Sequence, residues 1–159
     1  MNLDDQACKS KTTLSFMTIA LEEARAAAAL GEVPVGAVLV VGGRVVARTG
    51  NRIITQNDPT AHAEMLALRA GAERLGSARL DSAHLYVTLE PCAMCAGAIA
   101  LSRVARLYYG ASDPKGGAVE HGPRFFSQAT CHHRPEVYSG FAEADSARLL
   151  REFFAARRS

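Results

Sequence analysis

Apolar positions along the chain alternate between helical spacing and short continuous runs. Apolar residues recurring three or four positions apart predict helices, and short runs of β-branched or apolar residues predict strands between them. In chain order we predict a helix over Leu14–Leu30, strands over Val35–Val41 and Arg44–Arg48, a helix over Ala61–Leu75, a strand over Ala83–Thr88, a helix over Cys92–Leu101, a strand over Val104–Tyr109 and a helix over Glu143–Arg157. Strands that alternate with helices favour an α/β fold, here a three-layer α/β/α sandwich.

Glycine positions mark where several of these elements end. Gly31 follows the first helix and suits the left-handed conformation that commonly ends a helix. Gly42 and Gly43 lie between the first two strands, so we predict a tight hairpin there. The stretch from 110 to 134 contains several glycines and prolines without any period, which predicts a long loop.

Composition sets the class of protein. The chain has 159 residues, of which 48% are hydrophobic. This is enough to bury one core, and no linker divides the chain, so we expect a single domain over 1–159. No apolar stretch approaches the roughly 20 residues of a membrane-spanning helix, and the first dozen residues lack an apolar signal core. We therefore expect a soluble cytoplasmic protein with no membrane partner.

Cysteine content and charge narrow the picture further. In a reducing compartment the four cysteines are expected to be free thiols or metal ligands rather than disulfides, with Cys8 a free thiol. A formal net charge of +2 is too small to identify a polyanionic partner. The end of the chain is nonetheless basic, with Arg148, Arg151, Arg157 and Arg158. A solvated helix face and a phosphate-contacting tail are both open interpretations.

Two predicted helices begin with residues that bind metals. His62-Ala63-Glu64 opens one helix, and Pro91-Cys92-Ala93-Met94-Cys95 opens the next. A Cys-x-x-Cys pair at a helix start places both sulfurs within one turn, so they can occupy adjacent corners of a zinc tetrahedron. The helix N-terminus and the metal both favour thiolate over thiol. With His62 as the third ligand, Cys92 and Cys95 are predicted to hold one zinc ion per chain.

Three protein ligands leave one corner of the tetrahedron open, which is typical of a catalytic rather than a structural zinc site. Zinc lowers the pKa of a water molecule bound there toward roughly 7. Glu64 lies two residues after His62 and points elsewhere, so we predict that it carries protons from this water to a ring nitrogen and then to departing ammonia. His-x-Glu followed by Pro-Cys-x-x-Cys is typical of zinc nucleobase deaminases.

Each half of this pattern has a simpler interpretation by itself. Cys-x-x-Cys also occurs at redox sites, and His-Ala-Glu on an amphipathic helix is commonly surface chemistry. A non-catalytic RNA-binding module stabilised by zinc is a further alternative, although a structural site needs four protein ligands and gives Glu64 no role. Consecutive residues seldom converge on one ion, so we interpret Cys131, His132 and His133 as loop residues.

Longer segments carry a resemblance to a known family. The segments 32–38 (EVPVGAV), 51–52 (NR), 58–64 (DPTAHAE) and 86–98 (YVTLEPCAMCAGA) closely resemble those of bacterial tRNA-specific adenosine deaminases. The resemblance implies a cytidine-deaminase-like fold with a mixed sheet of about five strands, and a homodimer. It also implies zinc-dependent conversion of adenosine to inosine at the wobble position of an arginine tRNA with anticodon ACG, so that the partner is a tRNA anticodon stem-loop.

The resemblance further implies which residues bind substrate. Asn51 matches the family asparagine that hydrogen-bonds the flipped nucleotide, with a simple turn as the alternative. Asp113 matches an aspartate near the sugar beside the target base, and a turn-forming aspartate before Pro114 is the alternative. Phe153 and Phe154 match a C-terminal helix that faces the anticodon loop. One is expected in the core, and Phe154 is the candidate for stacking on a base.

Other enzymes of the same fold remain open as alternatives. Guanine, cytosine and deoxycytidine nucleotide deaminases share the zinc and glutamate chemistry, so the metal site does not distinguish them. The segments 33–38 and 58–64 and the basic chain end favour tRNA, because a free base has no phosphates to engage. The loop from 115 to 135 does not align with the family residue by residue, and its substrate contacts are left unassigned.

Overall fold

The predicted alternation of helices and strands is present over the residues that the structure describes. The structure is a computed structural model that describes residues 3–158 and the side chains of 11–158, so the Cys8 thiol lies outside the described residues. Over this range the elements are α1 (Leu3–Ala29), β1 (Gly36–Val41), β2 (Arg44–Gly50), α2 (Ala63–Leu75), β3 (Ala83–Leu89), α3 (Ala93–Ser102), β4 (Arg106–Ala111), a 3-10 turn (Phe125–Ser127), β5 (Glu136–Tyr138) and α4 (Glu143–Arg157).

The strands found over the described residues form one mixed sheet in the order β2-β1-β3-β4-β5. β1 pairs antiparallel with β2 across the Gly42-Gly43 turn, so the predicted hairpin is confirmed, and antiparallel with β3 on its other side. β3, β4 and β5 run parallel to one another. Because parallel strands share their direction, the carboxyl ends of β3 and β4 lie at the same edge of the sheet.

Side chains that alternate along the strands build a core on each face of the sheet. Val38 and Tyr86 pack with Met17 of α1 on one face, and α4 lies on the same side against α1 and β4. Their neighbours Leu39 and Leu85 belong to the larger core that includes α2 and α3. Strands buried on both faces are apolar almost without interruption, as seen here. The predicted three-layer α/β/α sandwich with a mixed sheet of about five strands is confirmed.

Some element boundaries differ from the sequence prediction. α1 begins at Leu3 rather than Leu14, because polar residues without an apolar period still continue a helix. β4 begins two residues later than predicted, at Arg106. β5 was not predicted, since its three residues pair with the edge of β4 and have no local pattern of their own. Within the predicted loop, the chain forms the short 3-10 turn.

The described part of the chain contains no helix with the length and apolar character needed to span a bilayer. The cysteines whose side chains are described, Cys92, Cys95 and Cys131, form no disulfide. The loops that follow β1–β2 and β3 lead directly into α2 and α3, and the N-termini of these two helices position the candidate site.

Candidate active site

The starts of α2 and α3 bring the predicted metal ligands together. His62 is the residue before α2 and Cys92 the residue before α3, and both have an extended backbone, with φ of −71° and −73°. Neither side chain caps its own helix in the described structure, so the imidazole and the thiol are free to face each other. Cys95 lies in the first turn of α3 and is buried.

The distances within this group fit a zinc tetrahedron. His62 Nδ1 lies 3.7 Å from Cys92 Sγ and 3.6 Å from Cys95 Sγ. All ligand atoms lie within 4.8 Å of one another, and this is the group of potential metal ligands found among the described residues. Typical zinc–nitrogen and zinc–sulfur bonds of about 2.1 and 2.3 Å at a tetrahedral angle separate the two ligand atoms by about 3.6 Å. A zinc ion would therefore fit with little rearrangement of the side chains.

Protonation of these three groups is coupled. The hydrogen bond with Cys92 raises the pKa of His62, against the opposing effect of burial. The hydrogen bond with Cys95 lowers the pKa of Cys92 to about 4, while that same contact, together with burial, raises the pKa of Cys95. These shifts favour a Cys92 thiolate beside a protonated imidazole and a Cys95 thiol. A cation that displaced the remaining protons would meet two thiolates and a neutral imidazole, a donor set typical of zinc.

Glu64 lies in the first turn of α2, two residues after His62, and is only 4% exposed. Burial raises the pKa of its carboxyl group, and hydrogen bonds with Cys95 and with its own backbone amide only partly offset this effect. A carboxyl group with a raised pKa takes up a proton more readily than an ordinary glutamate, as a group that carries protons must. Its position beside the ligand group suits the predicted proton carrier.

One cleft is lined by two of the three predicted metal ligands, by Glu64 and by two of the predicted substrate residues. His62, Glu64 and Cys92 line it together with Asn51 and Asp113. The other lining residues are Val33, Val35, Ile53, Leu89, Glu90 and Gly116. Apolar walls with a few convergent polar groups are typical of sites that bind small molecules or bases.

Asn51 is buried and connects the cleft to the start of α2. Its Oδ1 accepts a hydrogen bond from the backbone amide of Ala63 at 2.8 Å, and its backbone amide donates to the carbonyl oxygen of Val35 at 3.1 Å. With Oδ1 engaged, the side-chain Nδ2 is the group left to donate toward a ligand. The turn that was the alternative interpretation begins after Arg52, at Ile53.

Asp113 combines the two interpretations that its sequence left open. Its Oδ1 accepts hydrogen bonds from the backbone amides of Lys115 and Gly116, at 3.2 and 3.0 Å, as a turn-forming aspartate does. It also lines the cleft. One carboxylate oxygen thus shapes the turn after β4, and Oδ2 makes none of these turn bonds.

Comparison with known proteins identifies the family. A family model of MafB19-like deaminases matches residues 11–158. A tRNA-specific adenosine deaminase of Agrobacterium fabrum is 63% identical over 143 residues, which cover 90% of this chain and 94% of that protein. The chain belongs to the tRNA-specific adenosine deaminase family. The resemblance drawn from the sequence segments is thereby confirmed.

Solved structures show how widely this family's fold is shared. A structure from studies of A-to-I editing by tRNA:A34 deaminases has a TM-score of 0.85 at 63% identity, covering 86% of this chain and 99% of that one. A guanine deaminase from Nitrosomonas europaea has a TM-score of 0.77 at 26% identity, covering 89% and 84%. Because deaminases of different substrates share the fold, substrate choice must come from residues around the site.

In this member of the tRNA-specific adenosine deaminase family, the two phenylalanines of α4 differ in exposure. Phe153 is 8% exposed and Phe154 is 43% exposed. The guanidinium of Arg157 lies 3.4 Å from the centroid of the Phe153 ring and also donates to the Phe153 carbonyl oxygen. Phe153 is therefore held in the core, whereas Phe154 is accessible. Phe154 does not line the cleft described above.

Two buried carboxylates beside the cleft were given no role from the sequence. Glu32 is 1% exposed and accepts hydrogen bonds from the backbone amides of Ile54 and Thr55, at 2.6 and 3.0 Å. Glu90 is 2% exposed; burial acts to raise its pKa, but hydrogen bonds with His121 and with backbone amides lower it overall. In the sequence, each of these glutamates stands next to an apolar residue, which could have indicated that it is buried. A buried carboxylate needs hydrogen-bond partners, so both would then have been expected to hold nearby backbone.

The Cys131–His133 segment has a structural arrangement. Cys131 Sγ donates to the carbonyl oxygen of His133 at 3.1 Å, and His133 Nε2 lies 2.7 Å from the carbonyl oxygen of Val104. The second of these contacts holds the 131–133 loop against the residues just before β4. They agree with the interpretation of this segment as loop rather than metal site.

Proposed function

We propose that this chain, as a single deaminase domain, converts adenosine to inosine at the wobble position of an arginine tRNA with anticodon ACG, using one zinc ion per chain. The chemistry rests on the convergence of His62, Cys92 and Cys95 and on the cleft that His62, Cys92 and the buried Glu64 line. The choice of tRNA rests on family membership and on the 63% identity to a protein named tRNA-specific adenosine deaminase. Acting on tRNA would place the enzyme in the cytoplasm.

The side chains of the cleft can be assigned to successive steps of hydrolysis. Zinc held by His62, Cys92 and Cys95 would supply Lewis-acid activation of a water molecule as the nucleophile. Glu64 accepts the proton of this water, for which its buried position and raised pKa are suited. It passes this proton to N1 of the adenine ring as the water oxygen bonds to C6. It then takes the remaining proton from the new C6 hydroxyl group and gives it to the C6 amino group, so that the C6–N bond breaks and ammonia leaves.

Other residues of the proposed site hold the nucleotide. Asn51 has Nδ2 available to donate to the target nucleotide, because its Oδ1 is engaged with the start of α2. Asp113 lies at the edge of the cleft, where its free oxygen can accept from a ribose 2′-hydroxyl. Phe154 is exposed on α4 and is the proposed residue for stacking on a neighbouring base of the anticodon loop.

A homodimer is part of this proposal. Leu101 on α3 is 83% exposed and Ile54 in the loop after β2 is 68% exposed. Large apolar side chains at such exposure are candidates for burial against a second copy of the chain. Sedimentation of the purified protein, with Leu101→Glu as the disrupting variant, tests this assembly; a wild-type monomer contradicts it.

The substrate is tested by offering the purified protein each candidate separately. We expect inosine at the wobble position of the arginine tRNA transcript, and no product from a transcript in which that adenosine is replaced by guanosine. Free adenosine, guanine and cytosine should be poor substrates, because they lack the phosphates and neighbouring bases of the anticodon loop that the enzyme would contact. Products are identified by mass and chromatography. Rapid turnover of a free base with the tRNA untouched would overturn the proposal.

A further inference from the structure

Glu90 holds one wall of the cleft from within the protein. Its side chain is completely buried, and it lies between the end of β3 and the ligand Cys92. The carboxylate accepts hydrogen bonds along a single stretch of loop: Oε1 from the Asp113 amide at 3.1 Å, and Oε2 from the amides of Val119, Glu120 and His121 at 3.2 Å each. The loop is therefore wrapped around one acidic group.

His121 completes this arrangement from the solvent side. Its Nδ1 lies 2.7 Å from Glu90 Oε1, and its side chain is 35% exposed. A hydrogen bond to a buried carboxylate is among the stronger kinds in proteins, because the charge is screened little by water. Glu90 thus holds both ends of the loop formed by residues 113–121, through the amide of Asp113 and the side chain of His121.

The packing around Glu90 leaves little freedom for this loop. A side-chain carbon at Gly117 would overlap Glu90 Oε2, so the backbone approaches the carboxylate directly. The amide of Ala118 also donates to the carbonyl oxygen of Pro91 at 2.9 Å. Asp113 and Gly116, which lie in the same loop, line the cleft. Moving the loop would therefore move the part of the cleft wall that Asp113 and Gly116 form.

We propose that Glu90 and His121 are positioning residues, which fix the 113–121 loop so that the cleft fits the nucleotide to be deaminated. This inference rests on the proposed function for its substrate, but the loop contacts that carry it do not depend on that choice. The pair affects substrate binding through the loop that forms the cleft wall, whereas the proposed proton transfer and metal binding belong to residues at the starts of α2 and α3.

His121→Ala is the test variant, because His121 is partly exposed and its removal leaves the metal ligands untouched. A hydrogen bond to a charged group corresponds to roughly a 10- to 100-fold effect on an equilibrium. We expect KM for the tRNA transcript to rise by about tenfold, with kcat within about threefold of wild type and zinc content unchanged. His121→Asn keeps a donor near the Nδ1 position and should restore most of the loss. His132→Ala, at an exposed histidine further along the chain, is the matched control.

Hydrogen exchange gives a readout that needs no substrate. The amides of Val119, Glu120 and His121 should exchange about tenfold faster in His121→Ala than in wild type, while the helices α2 and α3 are unchanged. Unchanged KM and unchanged exchange would overturn the proposal, as would loss of zinc or general unfolding, which would indicate a merely structural role. If wild type does not act on tRNA, the proposed function fails, and the exchange data still decide whether His121 holds the loop.

Discussion

Replacing Glu64 with glutamine separates chemistry from binding and folding. The amide keeps the shape of the side chain but cannot take up the proton of the attacking water. General acid–base catalysis contributes about 10²- to 10⁴-fold, which corresponds to about 3–5 kcal/mol of the activation barrier. We expect the rate of inosine formation to fall by that factor in Glu64→Gln and in Glu64→Ala. Zinc content and tRNA affinity should stay unchanged, because the zinc ligands of the proposal lie on other residues.

The burial of Glu64 adds a stability effect with a defined sign. Its pKa is raised in the folded protein because burial disfavours the charged form. A carboxyl group of this kind contributes stability below its unfolded pKa of about 4.3 and loses that contribution as pH rises through its folded pKa. In metal-free protein, Glu64→Gln should therefore become progressively more stable than wild type as pH rises from acid to neutral.

The assay follows single-turnover inosine formation, zinc content and thermal unfolding on the same preparations. Glu73→Gln is the matched control, because Glu73 is an exposed carboxylate on the same helix and should behave as wild type in all three measurements. Turnover of Glu64→Gln within a few-fold of wild type would refute the role given to Glu64. Loss of zinc from Glu64→Gln would instead indicate that Glu64 is a metal ligand.

The remaining predictions concern the metal and α4. The double variant Cys92→Ala, Cys95→Ala should lose the zinc, about one ion per chain, measured by elemental analysis; retained stoichiometric zinc contradicts the ligand set. Zinc affinity should rise with pH, by about tenfold per unit for each proton released, because binding displaces protons from Cys95 and His62; a flat profile in chelator competition contradicts this. Phe153→Ala should lower the unfolding free energy by about 3–5 kcal/mol in denaturant titration. Phe154→Ala should spare stability but weaken tRNA binding by about 1–3 kcal/mol in filter binding, and unchanged affinity excludes stacking.

Elements with a strong local pattern could be predicted from the sequence. The bounds of α4 (Glu143–Arg157) agree with the prediction, and β3 is one residue longer than predicted. The hairpin follows from two glycines between apolar runs, because the turn needs their left-handed conformation, with φ of 58° and 77° at Gly42 and Gly43. β5 could not be predicted in the same way. It has only three residues, its two ends are exposed, and it forms only by pairing with β4, which is distant in sequence.

The metal-ligand group could be predicted because each half is local. His62 and Cys92 each precede a helix, so sequence spacing alone fixes which side chains share a turn. The walls of the cleft could not be predicted in this way. Glu32 meets Ile54, 22 residues away, and Glu90 meets His121, 31 residues away. Only the tertiary fold brings such pairs together.

Buried carboxylates in this chain differ in how well their charge is compensated. Glu90 is 2% exposed and Glu64 is 4% exposed, so burial alone does not distinguish them. Glu90 accepts hydrogen bonds from several backbone amides and from His121, and its pKa is lowered; it stays ionised and holds structure. Burial outweighs the few hydrogen bonds of Glu64, and its pKa is raised. A carboxylate with satisfied acceptors is unsuited to exchanging protons, whereas one with few hydrogen-bond donors beside a metal-ligand group can do so. This difference favours Glu64 over Glu90 as the proposed proton carrier.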